Sequence, residues 1–91
     1  MSTKKVKYNK QGIDQLPNDK PVLYRIETAA GNPNYIGIAQ RGYVRERLAG
    51  HLGKVPGATV RIEQFNDINE AKKKEINVIR RAQAKYNKQG K

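Results

Sequence analysis

The chain has 91 residues, of which 19 are Lys or Arg and 8 are Asp or Glu, giving a formal charge of +11. That length builds one modest core with no room for a second domain, and the lack of cysteine excludes disulfides, thiolate nucleophiles and cysteine-held zinc. No apolar run is long enough for a membrane span or a signal peptide, so a cytoplasmic protein is expected (nucleoid-associated in a bacterium or phage), with a polyanion as its default partner.

Residues 1–19 read as a basic, Lys-rich arm with a short turn or helix around Ile13 to Leu16, ended by Pro17-Asn18. Residues 20–91 read as the domain proper. Pro21 to Glu27 is rich in strand formers, Ala29 to Pro33 carries the turn chemistry of Gly-Asn-Pro, and Asn34 to Ala39 reads as a second strand, so the two make a hairpin. From Gly42 the period changes. Val44, Leu48 and Leu52 recur at spacings of four, and Gly53 supplies a helix stop. Pro56-Gly57 turns the chain into a third strand, Ala58 to Phe65. Asp67, with Glu70 three residues on, resembles a capping box that opens a helix to about Tyr86. The order ββαβα predicts an α/β (α+β) fold with a small three-stranded, mainly antiparallel sheet flanked by helices. The hexapeptide Lys-Tyr-Asn-Lys-Gln-Gly occurs at Lys7 to Gly12 and again at Lys85 to Gly90; it is too short for a repeat architecture and reads as two basic ends with exposed tyrosines.

Several residues do not fit a purely structural reading. On the last helix, Ile68, Ala71, Ile79, Ala82 and Tyr86 form an apolar stripe, and Glu75 falls in its middle. A carboxylate there is desolvated and must be neutralised, either by an Arg or Lys or by a divalent cation held by carboxylate and waters. Arg47 and His51, four apart, share a face beside the Val44 and Leu48 stripe, while Arg45 projects from the other flank. Such a pair supplies a phosphate clamp and a proton-transfer group, or else a solvated Arg and a helix-end His suited to the macrodipole. Tyr24 and Tyr35 lie on the two hairpin strands, where aromatics are usually core. A phenol, with an unperturbed pKa of about 10, becomes a base only where cations or a metal-bound water favour its phenolate, and a site lined by Arg and Lys is such an environment.

Assembled in order, these residues resemble the GIY-YIG nuclease domain. Val22-Leu23-Tyr24 stands for the first signature segment, Tyr35-Ile36-Gly37 for the second, Arg47-Leu48-Ala49-Gly50-His51 for the helical Arg-Leu-x-x-His, Glu70-Ala71 to Glu75-Ile76-Asn77-Val78-Ile79 for the metal-binding helix, and Tyr86-Asn87 for the terminal Tyr-Asn. The resemblance runs from about Lys20 to Asn87. Helical phase favours Arg47 over Arg45 as the family's arginine, since Arg47 shares a face with His51.

The resemblance implies a metal-dependent endonuclease that hydrolyses phosphodiester bonds of DNA by in-line attack of water. It implies Tyr24 as general base, Arg47 stabilising the transition state, and Glu75 binding one divalent cation, Mg²⁺ or Mn²⁺. Tyr35 and His51 are implied to position water or phosphate, with Gly37 and Asn87 in support. Substrate capture falls to basic residues, among them Arg41, Arg45, Lys54, Lys72, Arg80 and Arg81, through backbone contacts poor in sequence information. RNA remains a second candidate substrate, and either weak intrinsic sequence preference or recruitment by a protein partner is expected. The alternative is a catalytically inactive GIY-YIG-like module that binds nucleic acid without cutting it.

Overall fold

Val22-Leu23-Tyr24-Arg25-Ile26 sends apolar side chains to both faces of a strand, the signature of a strand covered on two sides. The computed structural model, which describes residues 3–82, puts that strand inside a sheet with helices on both faces. Its elements run β1 (Thr3–Lys7), α1 (Lys10–Asp14), β2 (Val22–Glu27), β3 (Pro33–Ala39), α2 (Val44–His51), β4 (Thr59–Gln64) and α3 (Ile68–Ala82). The strands lie in the order β1-β4-β2-β3, each pair antiparallel.

The hairpin, the third strand of the sequence reading and both longer helices form where expected. The residues read as an arm do not stay apart: β1 pairs with β4 from Thr3 opposite Glu63 to Lys7 opposite Thr59, making the sheet four-stranded. The polar composition of β1 reflects its place at the edge, where only Val6 packs on the core and lysines discourage pairing with other chains. The first copy of the hexapeptide belongs to this region and is structural. Tyr8 is half-buried, not exposed, because its hydroxyl donates to the Val55 carbonyl at 2.7 Å. Asn9 caps α1 by accepting the Gly12 N–H at 2.7 Å, and a side chain at Gly12 would run into the Lys7 carbonyl. Tyr86, Asn87 and the second copy lie outside the described residues.

Two apolar clusters hold the layers together. Ile13, Leu16, Val22, Tyr24, Ile26, Val44, Leu48, Val60 and Ile62 fill the space between the sheet and α1 and α2, while Leu23, Ile36, Phe65, Ala71 and Ile79 join the other face to α3. Asp67 opens α3 by accepting the Asn69 N–H at 2.9 Å, as a helix N-cap does. The helix lies mainly over edge strand β3, and less over β2. Among the described residues no helix is long and apolar enough to cross a membrane.

Candidate active site

Helix α2 is held by the segment that precedes β2. Asn18 accepts the Val44 N–H on its side chain at 2.8 Å and the Gly42 N–H on its carbonyl at 2.7 Å, and Arg45 Nε donates to the Leu16 carbonyl at 2.7 Å. Arg45, expected among the nucleic-acid contacts, is exposed but spends its Nε on this bond, because its flank of the helix faces α1. Gly42, with φ of 86°, provides a left-handed turn into the helix that a side chain would strain.

The free flank of α2 faces a cleft of about 530 Å³ lined by Tyr24, Tyr35, Tyr43, Glu46, Arg47, Gly50, His51 and Lys54. Tyr24, Tyr35, Arg47 and His51, singled out from sequence, thus come together. The Tyr24 hydroxyl lies 2.8 Å from His51 Nε2. The Tyr24 and Tyr35 rings are stacked with centroids 6.1 Å apart, and the His51 ring sits 4.5 Å from that of Tyr35. Gly37 is paired with Tyr24 across the hairpin, and a Cβ there would come within 2.7 Å of the Tyr24 hydroxyl. The glycine of Tyr35-Ile36-Gly37 is what lets the ring lie down across the strand. Val22, where the family pattern has glycine, is fully buried and pairs regularly with Ala39 and Gln64, so the strand accommodates that change.

The electrostatics differ from the expectation of a phenolate. Burial pushes the Tyr24 phenol well above its usual value, Tyr35, Glu75 and Tyr8 act in the same direction, and Arg47 opposes them without prevailing. Burial also lowers His51, as do the neighbouring charges of Arg47 and Lys54. A neutral phenol beside a neutral imidazole is the resting pair. Glu75 is half-buried on α3 and close enough for its charge to act on Tyr24; burial raises its pKa above the usual carboxylate value, against the pull of Arg47 and Lys72. Among the described residues no cation lies within ion-pair distance of it.

Tyr43, Glu46 and Gly50 were not singled out from sequence. For Tyr43 and Gly50 the signal was there, since positions 43, 47, 50 and 51 fall at the three- and four-residue spacings of one helical face. Gly50 has open space where a side chain would stand, which widens the cleft. Arg41, Lys72, Arg80 and Arg81 are exposed and none lines the cleft.

No protein-family model matches the sequence, and neither does any curated protein. Among solved structures the chain is similar to the GIY-YIG N-terminal endonuclease domain of UvrC from Thermotoga maritima, crystallised with its catalytic divalent cation, magnesium. The two share 25% identity at a TM-score of 0.67, over 85% of this chain and 92% of that one. The chain belongs to the GIY-YIG superfamily. Its GIY-YIG sheet, the tyrosine-lined cleft and the helix bearing Glu75 all fall within the four-strand, three-helix fold of a nuclease domain.

Proposed function

We propose that the cleft hydrolyses phosphodiester bonds of DNA, with RNA as the second candidate. The observation that carries this reading is the 2.8 Å contact between the Tyr24 hydroxyl and His51 Nε2 beside the Arg47 guanidinium. A paired proton acceptor and a cation at one opening are the two things attack on a phosphate anion needs.

In this mechanism His51 is neutral, with its proton on Nδ1, and Nε2 accepts the Tyr24 hydroxyl. Water attacks phosphorus in line with the departing sugar oxygen. Its proton passes to the Tyr24 oxygen as the Tyr24 proton passes to His51, so no free phenolate is required and an imidazolium is left. The P–O bond to the sugar then breaks, the departing sugar oxygen takes a proton from solvent, and the His51 imidazolium gives its extra proton back to solvent. Arg47 carries the charge that builds on the non-bridging oxygens, a role worth roughly 3 to 4 kcal/mol where a preorganised donor is removed. Tyr35 holds the imidazole by ring contact, and Lys54 meets the flanking backbone charge. The basic surface outside the cleft, including Arg41, Lys72, Arg80 and Arg81, holds the rest of the strand through salt-dependent contacts.

Glu75 fits a divalent cation. It is a desolvated carboxylate without an ion-pair partner among the described residues, and one carboxylate completed by water suits Mg²⁺ better than a cage of protein ligands. Among the described residues no three His, Cys, Asp or Glu cluster as a metal site, consistent with such an open arrangement. When bound, the cation supplies Lewis-acid stabilisation of the leaving oxygen.

The reading is tested by incubating supercoiled plasmid and a branched oligonucleotide duplex with the protein in Mg²⁺, in Mn²⁺ and in EDTA. Nicking in either metal, none in EDTA and at least a hundredfold loss in Glu75→Ala support it. Tight binding without cleavage in any metal contradicts it and leaves the binding-module alternative.

A further inference from the structure

Strand register brings three cations into one row on the sheet face away from the cleft. Lys5 of β1 is opposite Arg61 of β4, and Arg61 is opposite Arg25 of β2. Val6, Val60, Ile62, Tyr24 and Ile26 occupy the α1 and α2 side, so the alternate positions Lys5, Arg61 and Arg25 project to the other. Like charges directly opposite one another destabilise a sheet. Here two such oppositions adjoin, across strands spaced by about 4.8 Å.

The protein supplies little to offset them. The buried Glu27 carboxylate lies 3.6 Å from Arg61, beyond a strong ion pair, and Glu63 is taken by Lys74 at 2.9 Å. Arg25 is half-buried and its side chain makes neither hydrogen bond nor ion pair among the described residues. Helix α3 packs over β3 and β2, so the β4 and β1 side keeps an opening of about 160 Å³ lined by Thr3, Leu23, Arg25, Arg61, Ile62 and Glu63. That volume admits a phosphate group, and the planar forks of two guanidinium groups match its oxygens.

We infer that Lys5, Arg25 and Arg61 form a second phosphate-binding row for nucleic acid, occupied by a backbone segment other than the one in the cleft. Tyr24 and Arg25 are neighbours in β2 that point to opposite faces, so a phosphate at the cleft cannot also meet the row. A second segment has to pass around the sheet, as one arm of a branched substrate does while another arm enters the cleft. This rests on the reading that the cleft takes a phosphodiester. It assigns the cleft a branched substrate over a linear duplex.

Fluorescence anisotropy in EDTA tests it with a three-way DNA junction and a linear duplex of equal total length. Wild type is compared with Lys5→Gln/Arg25→Gln and with a charge-matched control, Lys20→Gln/Lys73→Gln; Arg61 is left in place because it faces the buried Glu27. The expected result is tighter binding of the junction by wild type. In Lys5→Gln/Arg25→Gln junction affinity falls about tenfold to the level of the linear duplex, and the salt slope shrinks by about 2. The control should lose at most about twofold on both substrates. Equal weakening of both substrates, or no difference from the control, overturns the row. So does competition by polyglutamate that the double substitution removes while DNA binding is untouched, which would assign the row to an acidic protein. A parallel Mg²⁺ cleavage assay separates the two readings: the binding pattern without nicking by wild type removes the nuclease reading, and nicking without the pattern removes the row.

Discussion

The two faces of strand β2 solve opposite problems. Toward α2, Tyr24 is buried with its hydroxyl satisfied by His51, and the charge beside it, Arg47, is held on a helix tied by hydrogen bonds to the segment before β2. Toward the far face, Arg25 is left half-solvated among like charges. The first face is preorganised: its polar groups are already aimed before any ligand arrives, which is where catalytic advantage comes from. The second gains its partners only on binding, which suits capture. A strand that alternates every residue can serve both tasks with adjacent side chains.

The largest effect that sharpens this contrast is expected within α2. Arg47→Ala should lower single-turnover nicking by about 10² to 10³ with substrate binding weakened far less. Arg45→Ala should leave the chemistry alone and cost about 1 kcal/mol of stability in urea unfolding, from its bond to Leu16. If the two effects are reversed, Arg45 is the site residue. Next comes Gly37→Ala: the new methyl meets the Tyr24 hydroxyl, so about 1 to 3 kcal/mol of stability should be lost by overpacking. Residual nicking should be low even at temperatures where the variant is folded.

A smaller effect separates a functional from a structural carboxylate. The pKa of Glu75 is raised in the folded chain above its ordinary 4.5, so the folded state binds more protons than the unfolded one between those values. Stability is therefore lost as pH rises through that window, and the ionised carboxylate weakens the metal-free fold at neutral pH. Glu75→Gln in EDTA should melt above wild type at pH 7, with the difference closing below about pH 4. A lower melting temperature at pH 7 would mean that Glu75 is a structural ion pair.

Much of this was legible in the sequence because it depends on local period. The hairpin, the α2 stripe of Val44 and Leu48 and the α3 stripe interrupted by Glu75 each show in a short window. Strand β1 was not legible: an edge strand with one inward side chain, Val6, has no apolar alternation to detect, and its partner β4 lies over fifty residues away. The Arg45 bond to the Leu16 carbonyl was hidden for a related reason, since that partner belongs to the same N-terminal segment. The resting state of the Tyr24 phenol was not legible either. Counting nearby cations favoured a phenolate, but burial of the Tyr24 ring outweighs Arg47, and burial cannot be read from composition.

Tyr24→Phe tests the central claim most directly, because it keeps the ring in the core and removes only the hydroxyl that meets His51. Single-turnover nicking of a branched duplex in Mg²⁺ should fall by at least about 10², with melting temperature and DNA affinity close to wild type. Nicking at the wild-type rate would contradict the account, since proton transfer would then bypass the Tyr24–His51 pair.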